Sequence, residues 1–253
     1  MQNNPYKNNA TELSIILPLL GEGMYLEGML KLLTLDIAVS HEVIFMCEYE
    51  MFSQLTEHMC SKYKFAKWLE RQAKESTLNA LKRGIEAAAG QYILMVSADT
   101  IGPDIPIHQM LSLANQGCDF VNSSRYAAYG KRLGGSFFES TLSKLANCLL
   151  YSLGGSAFTD STTRLKLFRK SIFSQLSLES KSPGWAVSFE SALKAQYAGL
   201  KIGEVPTVAV DRFYGGKSTF RLSTELIEYL KWFVWGICKT RGTKANLIST
   251  PIR

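Results

Sequence analysis

Short apolar runs, separated by segments with helical periodicity, constrain the fold of this chain more than any other feature. The runs Leu13–Pro18, Glu42–Met46 and Gln91–Val96 are too short for ordinary helices and predict buried strands. Between them, residues 22–35 and 76–89 carry apolar side chains at helical spacing. Strands that alternate with helices predict a mostly parallel sheet with helices on both faces, and ligands at the carboxyl ends of the strands.

The second half of the chain continues this alternation less regularly. Its predicted helices cover 106–115, 139–153 and 187–198, and its predicted strands cover 119–122, 164–168 and 202–210. The last strand contains Pro206, which cannot donate to a ladder of hydrogen bonds. We therefore expect this strand at an edge of the sheet.

An amphipathic segment rich in aromatic residues, Glu225–Lys239, follows these elements. Tyr229, Trp232 and Trp235 lie beside its apolar face, and basic residues outnumber acidic ones in the surrounding sequence. Tyr and Trp favour positions where one end of the ring is apolar and the other is wet, so the segment predicts an interfacial membrane helix. The alternative is a helix that packs on the domain or on a second subunit.

Composition excludes several classes of protein. The 253 residues are 46% hydrophobic and 20% charged, which is typical of a chain with a sizeable core. No apolar run approaches the roughly 18 residues of a membrane span, and the polar N terminus does not resemble a signal peptide. The five scattered cysteines indicate neither disulfides nor zinc and favour a reducing cytoplasm. The net charge of +6 comes without a nucleic-acid-binding signature, so we expect a membrane surface or a phosphorylated ligand as partner.

Six motifs follow one another along the chain. They are SIILPLLGE (14–22), EVIFMCE (42–48), ALKRGIEAAAGQYILMVSAD (80–99), DFVNSSRY (119–126), TDSTTRLKLFRK (159–170) and SFESALKAQYAGLKIGEVPTVAVDRFYGGKS (188–218). In this order they resemble glycosyltransferase family 2 and, within it, the dolichol-phosphate mannosyltransferase-like branch. The resemblance implies a GT-A fold, a Rossmann-like and mostly parallel sheet flanked by helices, here with a C-terminal amphipathic helix.

The first two motifs concern the nucleotide. The resemblance implies that Pro18 and Glu22 belong to the loop that holds the base and ribose of a nucleotide sugar. A strand in the family ends in a pair of aspartates that contact the nucleotide, and this chain has Cys47 and Glu48 there. Glu48 keeps one carboxylate, so we expect it to bind the nucleoside.

The third motif concerns the donor diphosphate. Ser97, Ala98 and Asp99 stand where the family has Asp-x-Asp, whose carboxylates hold a divalent cation on the diphosphate. We expect all three residues to bind the nucleotide sugar, and Asp99 to be both catalytic and a metal ligand. One carboxylate with substrate phosphates and water can hold a hard cation, so Mg²⁺ or Mn²⁺ is the expected cofactor.

The later motifs concern the phosphates. Arg125, Arg212 and Lys217 match basic positions of the family and are predicted catalytic residues that bind phosphate oxygens. Ser143 keeps the serine of the family's Arg-x-x-x-Ser, although Glu139 replaces its arginine. The resemblance therefore implies an acceptor-phosphate site made of Ser143, Arg125 and Lys217.

These motifs predict an inverting transferase that moves a sugar from a GDP- or UDP-sugar to a polyprenyl phosphate. One alternative keeps the donor and takes a saccharide acceptor, with Glu190 or Asp160 as the base. Another is a non-catalytic relative that binds a nucleotide sugar, which the replacements at Cys47, Ser97 and Glu139 favour.

The expected organisation is a flexible N terminus over 1–11, a GT-A domain over 12–220 and a basic amphipathic extension over 221–253. The expected location is the cytoplasmic face of a membrane, with peripheral attachment. No nucleic-acid partner is expected, and the oligomeric state is left open, with a homo-oligomer as one alternative.

Overall fold

A computed structural model describes most of the chain as an α/β fold. The described residues are 12–19, 26–37, 39–72, 75–97, 106–134, 137–210, 222–243 and 245–249. The strands are β1 (Leu13–Pro18), β2 (His41–Cys47), β3 (Ala66–Glu70), β4 (Tyr92–Met95), β5 (Phe120–Ser124), β6 (Lys131–Leu133), β7 (Lys166–Arg169), β8 (Lys201–Pro206), β9 (Val208–Val210) and β10 (Asn246–Ser249). The helices are α1 (Leu26–Asp36), α2 (Tyr49–Lys62), α3 (Thr77–Ala87), α4 (Ile107–Asn115), α5 (Phe137–Ser152), α6 (Ala186–Tyr197) and α7 (Leu222–Thr240), and a 3-10 segment covers Lys170–Leu176.

Eight strands form the central sheet in the order β10-β8-β5-β7-β4-β1-β2-β3. All neighbours pair in parallel except β7, which is antiparallel to both β4 and β5. The start of β7 therefore lies at the same edge of the sheet as the carboxyl ends of the other strands. Strands β6 and β9 form a separate two-stranded sheet.

Helices cover both faces of the sheet because successive strand residues point in opposite directions. In β1, Ile15 packs with α1, α2 and α4, whereas the next residue, Ile16, packs with α3 and α6. Both isoleucines are completely buried. The mostly parallel sheet with helices on both faces confirms the predicted fold class.

Two sequence-based expectations about the elements are wrong or incomplete. The proline-bearing strand is not at an edge: β10 pairs with β8 on its outer side. Pro206 is tolerated because it is the last residue of β8, beyond the β10 pairing, which ends at Glu204. The sequence interpretation also missed α2, β3, β6 and β10, of which α2 is polar and β3 is only partly buried.

Helix α7 is anchored to the rest of the fold by its aromatic face. Trp232 is 1% exposed, packs with Phe189 and Leu193 of α6, and donates its indole N–H to the Ser180 hydroxyl at 3.0 Å. The amphipathic helix is present as predicted, but this tryptophan faces protein and not a membrane interface. No helix within the described ranges is long and apolar enough to cross a bilayer. A domain boundary at residue 220 stays a prediction.

Candidate functional site

The carboxyl ends of three neighbouring strands form one edge of the candidate site. Strand β1 ends at Pro18, Glu48 follows β2, and Ser97 follows β4 by two residues. Because β1 pairs with β2 on one side and β4 on the other, the structure brings these three predicted donor-binding residues to one edge. Five further predicted site residues lie outside the described residues: Glu22, Ala98, Asp99, Arg212 and Lys217.

The antiparallel strand adds a basic side chain to this edge. The first residue of β7, Lys166, pairs with Met95 at the end of β4. Two residues earlier, Arg164 donates from Nη1 to Oγ of Ser97 at 3.3 Å. Its guanidinium carbon lies 5.5 Å from the centre of the buried Trp185 ring. Strand β7 thus places a guanidinium group directly beside the end of β4.

A buried ion pair between Arg125 and Asp160 lies next to this edge. Arg125 donates from Nε to Oδ2 at 2.7 Å and from Nη2 to Oδ1 at 3.0 Å. The Asp160 side chain is fully buried and that of Arg125 is 12% exposed. Burial alone would raise the pKa of Asp160, but the guanidinium outweighs it and holds the pKa below its ordinary value. The ionised carboxylate therefore fixes the plane of the guanidinium.

Hydroxyl groups surround the same guanidinium. Arg125 Nη2 also donates to Oγ of Ser143 at 3.2 Å and to Oγ1 of Thr162 at 2.9 Å. The Tyr126 hydroxyl donates to Ser143 Oγ at 3.1 Å, and the Asn147 amide donates to Thr162 Oγ1 at 3.0 Å. The structure therefore brings together Arg125 and Ser143, both predicted to bind the acceptor phosphate. Sequence reasoning missed Asn147, which lies one helical turn after Ser143 on α5.

A second buried basic side chain, that of Lys166, interacts electrostatically with Asp160. Lys166 is completely buried and donates to the Asn122 side-chain oxygen and to the carbonyl oxygen of Ser161. Burial lowers the pKa of Lys166 to about 7, against the opposing effect of the Asp160 and Glu204 carboxylates. Because Lys166 has no exposed surface, it stabilises the framework of the site and cannot contact a ligand.

An apolar groove of about 340 Å³ extends from this polar cluster between α5, α6 and α7. Part of its lining is polar or basic: Arg125, Arg132, Ser143, Thr162 and Arg164. The rest of its lining is Leu142, Leu145, Ala146, Leu149, Phe189, Leu226, Tyr229, Leu230 and Phe233. Sequence reasoning missed this groove. The sequence signal that could have indicated it is the spacing of three leucines of α5 at i, i+3 and i+7. In the structure two of them, Leu142 and Leu145, stay 40% and 55% exposed.

The two carboxylates considered as a catalytic base are both engaged elsewhere. Glu190 is fully buried, accepts backbone N–H groups of Glu179 and Ser180 at 2.6 and 2.9 Å, and pairs with Lys194 at 2.9 Å. Asp160 is engaged by Arg125. Neither carboxylate is placed to take a proton from a saccharide hydroxyl, so the geometry does not support the expected alternative that used them.

The described part of the site does not fit a divalent cation at the end of β4. Ser97 provides a hydroxyl where a metal needs a carboxylate, and that hydroxyl already accepts a hydrogen bond from the Arg164 guanidinium. A second cation beside Arg164 would be repelled. Among the described residues, no three His, Cys, Asp or Glu side chains are grouped to hold a metal, and Asp99 is not one of those residues.

The strand order, the antiparallel β7 and the flanking helices together define the GT-A fold, as the resemblance predicts. Solved structures share it. Glucosyl-3-phosphoglycerate synthase from Mycobacterium tuberculosis, in complex with Mn²⁺, UDP and glucosyl-3-phosphoglycerate, is 16% identical over 92% of this chain and 82% of that chain, with a TM-score of 0.66.

Two further solved structures are similar at lower scores. A mannosyltransferase from Pyrobaculum calidifontis, in complex with GDP-Man and Mn²⁺, is 13% identical over 95% of this chain and 77% of that chain, with a TM-score of 0.57. TarS from S. aureus is 15% identical over 80% of this chain and 58% of that chain, with a TM-score of 0.54. The sequence matches no protein-family profile. These comparisons show the fold.

The ion pair at the centre of the site predicts a pH-dependent stability. Replacing Asp160→Asn leaves the Arg125 guanidinium uncompensated, which we expect to cost about 3–5 kcal/mol of unfolding free energy at neutral pH. The pKa of Asp160 is lowered in the folded protein, so its carboxylate contributes fully to the free energy of unfolding above pH 3.8, the ordinary pKa. This contribution is lost as the pH falls from 3.8 through the lower pKa of the folded state. Urea denaturation at neutral and acidic pH measures this difference.

Asp119→Asn is the matched control. Asp119 pairs with Arg169 at 3.6 Å, and both side chains are about one quarter exposed, so we expect a loss of no more than about 1 kcal/mol. Equal losses in the two variants, or a loss in Asp160→Asn that does not change with pH, would contradict the described role of the buried pair.

Proposed function

We propose that this protein is a glycosyltransferase that moves a sugar from a nucleotide sugar to a polyprenyl phosphate. The observation that carries the proposal is that one groove joins the polar cluster to apolar side chains. Arg125, Ser143 and Thr162, which are hydrogen-bonded to one another, line the same groove as apolar side chains of α5 and α7. A ligand that complements this arrangement has a long apolar chain and a phosphate head. The GT-A fold supports the donor half of the reaction.

The proposed reaction is a direct displacement with inversion. An oxygen of the acceptor phosphate forms a bond to C1 of the sugar, while the bond from C1 to the terminal phosphate of the donor breaks. The electron pair of that bond leaves with the nucleoside diphosphate. The attacking oxygen is already ionised near neutral pH, so no general base is needed, in agreement with the engagement of Glu190 and Asp160 by other groups. Catalysis then depends on alignment and on stabilisation of the leaving charge.

Asp160 prepares the acceptor end for this reaction. Because its carboxylate holds the Arg125 guanidinium in one plane, the guanidinium and the hydroxyls of Ser143 and Thr162 meet the phosphate without reorganisation. A preorganised cation of this kind orients the acceptor oxygen and lowers the entropy lost at the transition state.

The donor end rests on the edge formed by β1, β2 and β4. We propose that Pro18, Glu22 and Glu48 bind the nucleoside and that Ser97 and Ala98 approach the diphosphate. The neighbours from M. tuberculosis and P. calidifontis hold UDP and GDP-Man, which supports a UDP- or GDP-sugar here.

The remaining predicted site residues concern the charged groups of the donor and the acceptor. Both neighbours contain Mn²⁺; Asp99 is the predicted metal ligand of this chain, but it lies outside the described residues, and the described end of β4 does not fit a divalent cation. Arg212 and Lys217 are proposed to close over the donor diphosphate and the acceptor phosphate. No step of the displacement described above requires the metal.

Membrane attachment is part of the same proposal. The face of α7 opposite Trp232 exposes Ile227 and Val234, which are 71% and 58% accessible. Lys231 is also exposed, and its ammonium group lies 4.5 Å from the centre of the Trp232 ring. Exposed apolar residues with a flanking cation favour the boundary between headgroups and acyl chains. A lipid acceptor would then enter the groove from the membrane, at the cytoplasmic face.

A small soluble phosphate is the second candidate acceptor. Glucosyl-3-phosphoglycerate synthase shares the fold, and its structure holds glucosyl-3-phosphoglycerate. The Arg125 cluster would bind such a phosphate equally well. The long apolar walls favour the lipid, because a small polar acceptor leaves them exposed to water.

The acceptor is tested by donor turnover with UDP- and GDP-sugars, first with a polyprenyl phosphate and then with 3-phosphoglycerate. We expect turnover that requires the lipid phosphate. Ser143→Ala should lower it by about tenfold to a hundredfold, since the variant removes a hydroxyl from a charged hydrogen-bonded cluster.

Ser152→Ala, at the end of the same helix and exposed, is the control and should act as wild type. If turnover occurs with 3-phosphoglycerate and not with the polyprenyl phosphate, the acceptor is the small soluble phosphate and not the lipid. No turnover with either acceptor, or an equal effect of both serine variants, would contradict the proposed acceptor site.

The membrane-facing surface is tested by vesicle sedimentation with an Ile227→Ser and Val234→Ser double variant. Burial of two such side chains in acyl chains contributes about 3 kcal/mol or more, so the variant should bind vesicles roughly a hundredfold more weakly. Substitution is preferable to truncation before α7, because truncation would also remove the buried Trp232. Leu247→Ser, at a 43% exposed leucine of β10, is the control. Binding that is unchanged in the double variant would rule out this surface.

A further inference from the structure

Arg164 lies in the candidate site and has no role in the proposed reaction described above. It precedes β7 at the carboxyl edge of the sheet, where ligands bind in folds of this kind. Its guanidinium reaches Ser97 at the end of β4 on one side and lines the groove that holds Arg125 on the other. Arg164 therefore lies at the boundary between the proposed donor edge and the proposed acceptor groove.

The guanidinium of Arg164 is held in position by its surroundings. Its carbon atom lies 5.5 Å from the centre of the Trp185 ring, and Trp185 is itself 1% exposed. Stacking on a buried aromatic ring restricts the plane of the guanidinium, so the group is oriented before a ligand arrives. Lysine could not reproduce this arrangement, because an ammonium group is neither planar nor suited to bidentate contact.

A guanidinium lies at this edge, directly beside the end of β4. The structures of the M. tuberculosis synthase and the P. calidifontis mannosyltransferase contain Mn²⁺ together with a nucleotide or nucleotide sugar. In this chain the Ser97 hydroxyl accepts a hydrogen bond from a guanidinium. A fixed cation and a divalent metal would repel one another there, whereas a diphosphate would be attracted to either.

We propose that Arg164 binds the diphosphate of the nucleotide-sugar donor and supplies positive charge there without a divalent metal. This inference rests on the proposed function. As the bond between C1 and the donor oxygen breaks, the electron pair moves onto the terminal phosphate of the nucleoside diphosphate. The N–H groups of Arg164 donate to the oxygens that gain this charge and stabilise the leaving group without metal.

The test is titration calorimetry of the protein with UDP and GDP, in EDTA and in Mn²⁺. We expect the preferred nucleoside diphosphate to bind equally well under both conditions. Arg164→Gln should weaken this binding by about tenfold to a hundredfold, because a charge-assisted contact to phosphate is lost. Affinity for the corresponding nucleoside, which lacks phosphate, should not change.

Arg169→Gln is the matched control for this variant. Arg169 lies at the other end of β7, and its guanidinium carbon is likewise 5.2 Å from an aromatic ring, that of Tyr92. It should bind the diphosphate as wild type does. If Arg164→Gln melts at a lower temperature than the control, Arg164→Lys provides a second variant, which should keep metal-independent binding at reduced affinity.

Three results would overturn the inference. If the diphosphate binds only in Mn²⁺, a metal and not Arg164 neutralises its charge. Equal affinities in Arg164→Gln and Arg169→Gln would show that Arg164 does not touch the donor. Failure of the wild-type protein to bind either diphosphate under both conditions would overturn the proposed function and this inference with it, whereas the first two results would leave the proposed function standing.

Discussion

The buried ion pair of Arg125 and Asp160 is the interaction on which the rest of the site depends. The pair joins the end of β5 to the loop before β7, and the hydroxyls around it extend to Ser143 on α5. A buried charge without its partner costs several kcal/mol, so the two segments cannot separate without a large loss of stability. The pair therefore fixes the distance between the edge of the sheet and the helix that lines the groove.

This constraint explains why an antiparallel strand stands within an otherwise parallel sheet. Because β7 runs against its neighbours, its first residues reach the carboxyl edge, which a parallel strand would reach only with its last residues. Asp160, Thr162 and Arg164 precede β7 and so meet the ends of β4 and β5. One short loop thereby supplies the counter-ion of Arg125, a hydroxyl and a guanidinium.

Helix α7 has one apolar face that is buried and another that is accessible. Trp232 on one face shares a core with α6, while Ile227 and Val234 on the other remain accessible. Leu226, Tyr229 and other residues between these faces form one wall of the groove. The helix is thus integral to the fold, as one of the two alternatives from the sequence expected, and still presents an apolar surface; membrane attachment stays a proposal.

Local patterns predicted the elements well where the hydrophobic signal was strong. The apolar run at Leu13–Pro18 corresponds to β1 with the same bounds, and Ser76 ends up as the N-cap of α3. Patterns failed where burial depended on distant partners. Pro206 indicated an edge, but β10, contributed by the last residues of the described chain, covers that strand.

The site was predictable only in part for the same reason. Arg125 and Ser143 could be chosen from motifs, but Asp160 was considered as a base, since nothing local shows that a guanidinium 35 positions away in the sequence engages both of its oxygens. The groove arises from side chains of three helices, and no single helix reveals it. Contacts between residues far apart in the sequence decide both the role of Asp160 and the formation of the groove, and no short pattern encodes such contacts.

The central claim is that one lipid phosphate occupies the groove with its head at Arg125. Photo-crosslinking with a polyprenyl phosphate that carries a diazirine on its first isoprene units, followed by peptide mapping, measures this directly. We predict labels on the groove walls of α5 and α7, around Leu145 and Phe233, which unmodified polyprenyl phosphate removes by competition. Labels confined to other surfaces, or labels that the unmodified lipid does not displace, would contradict the claim.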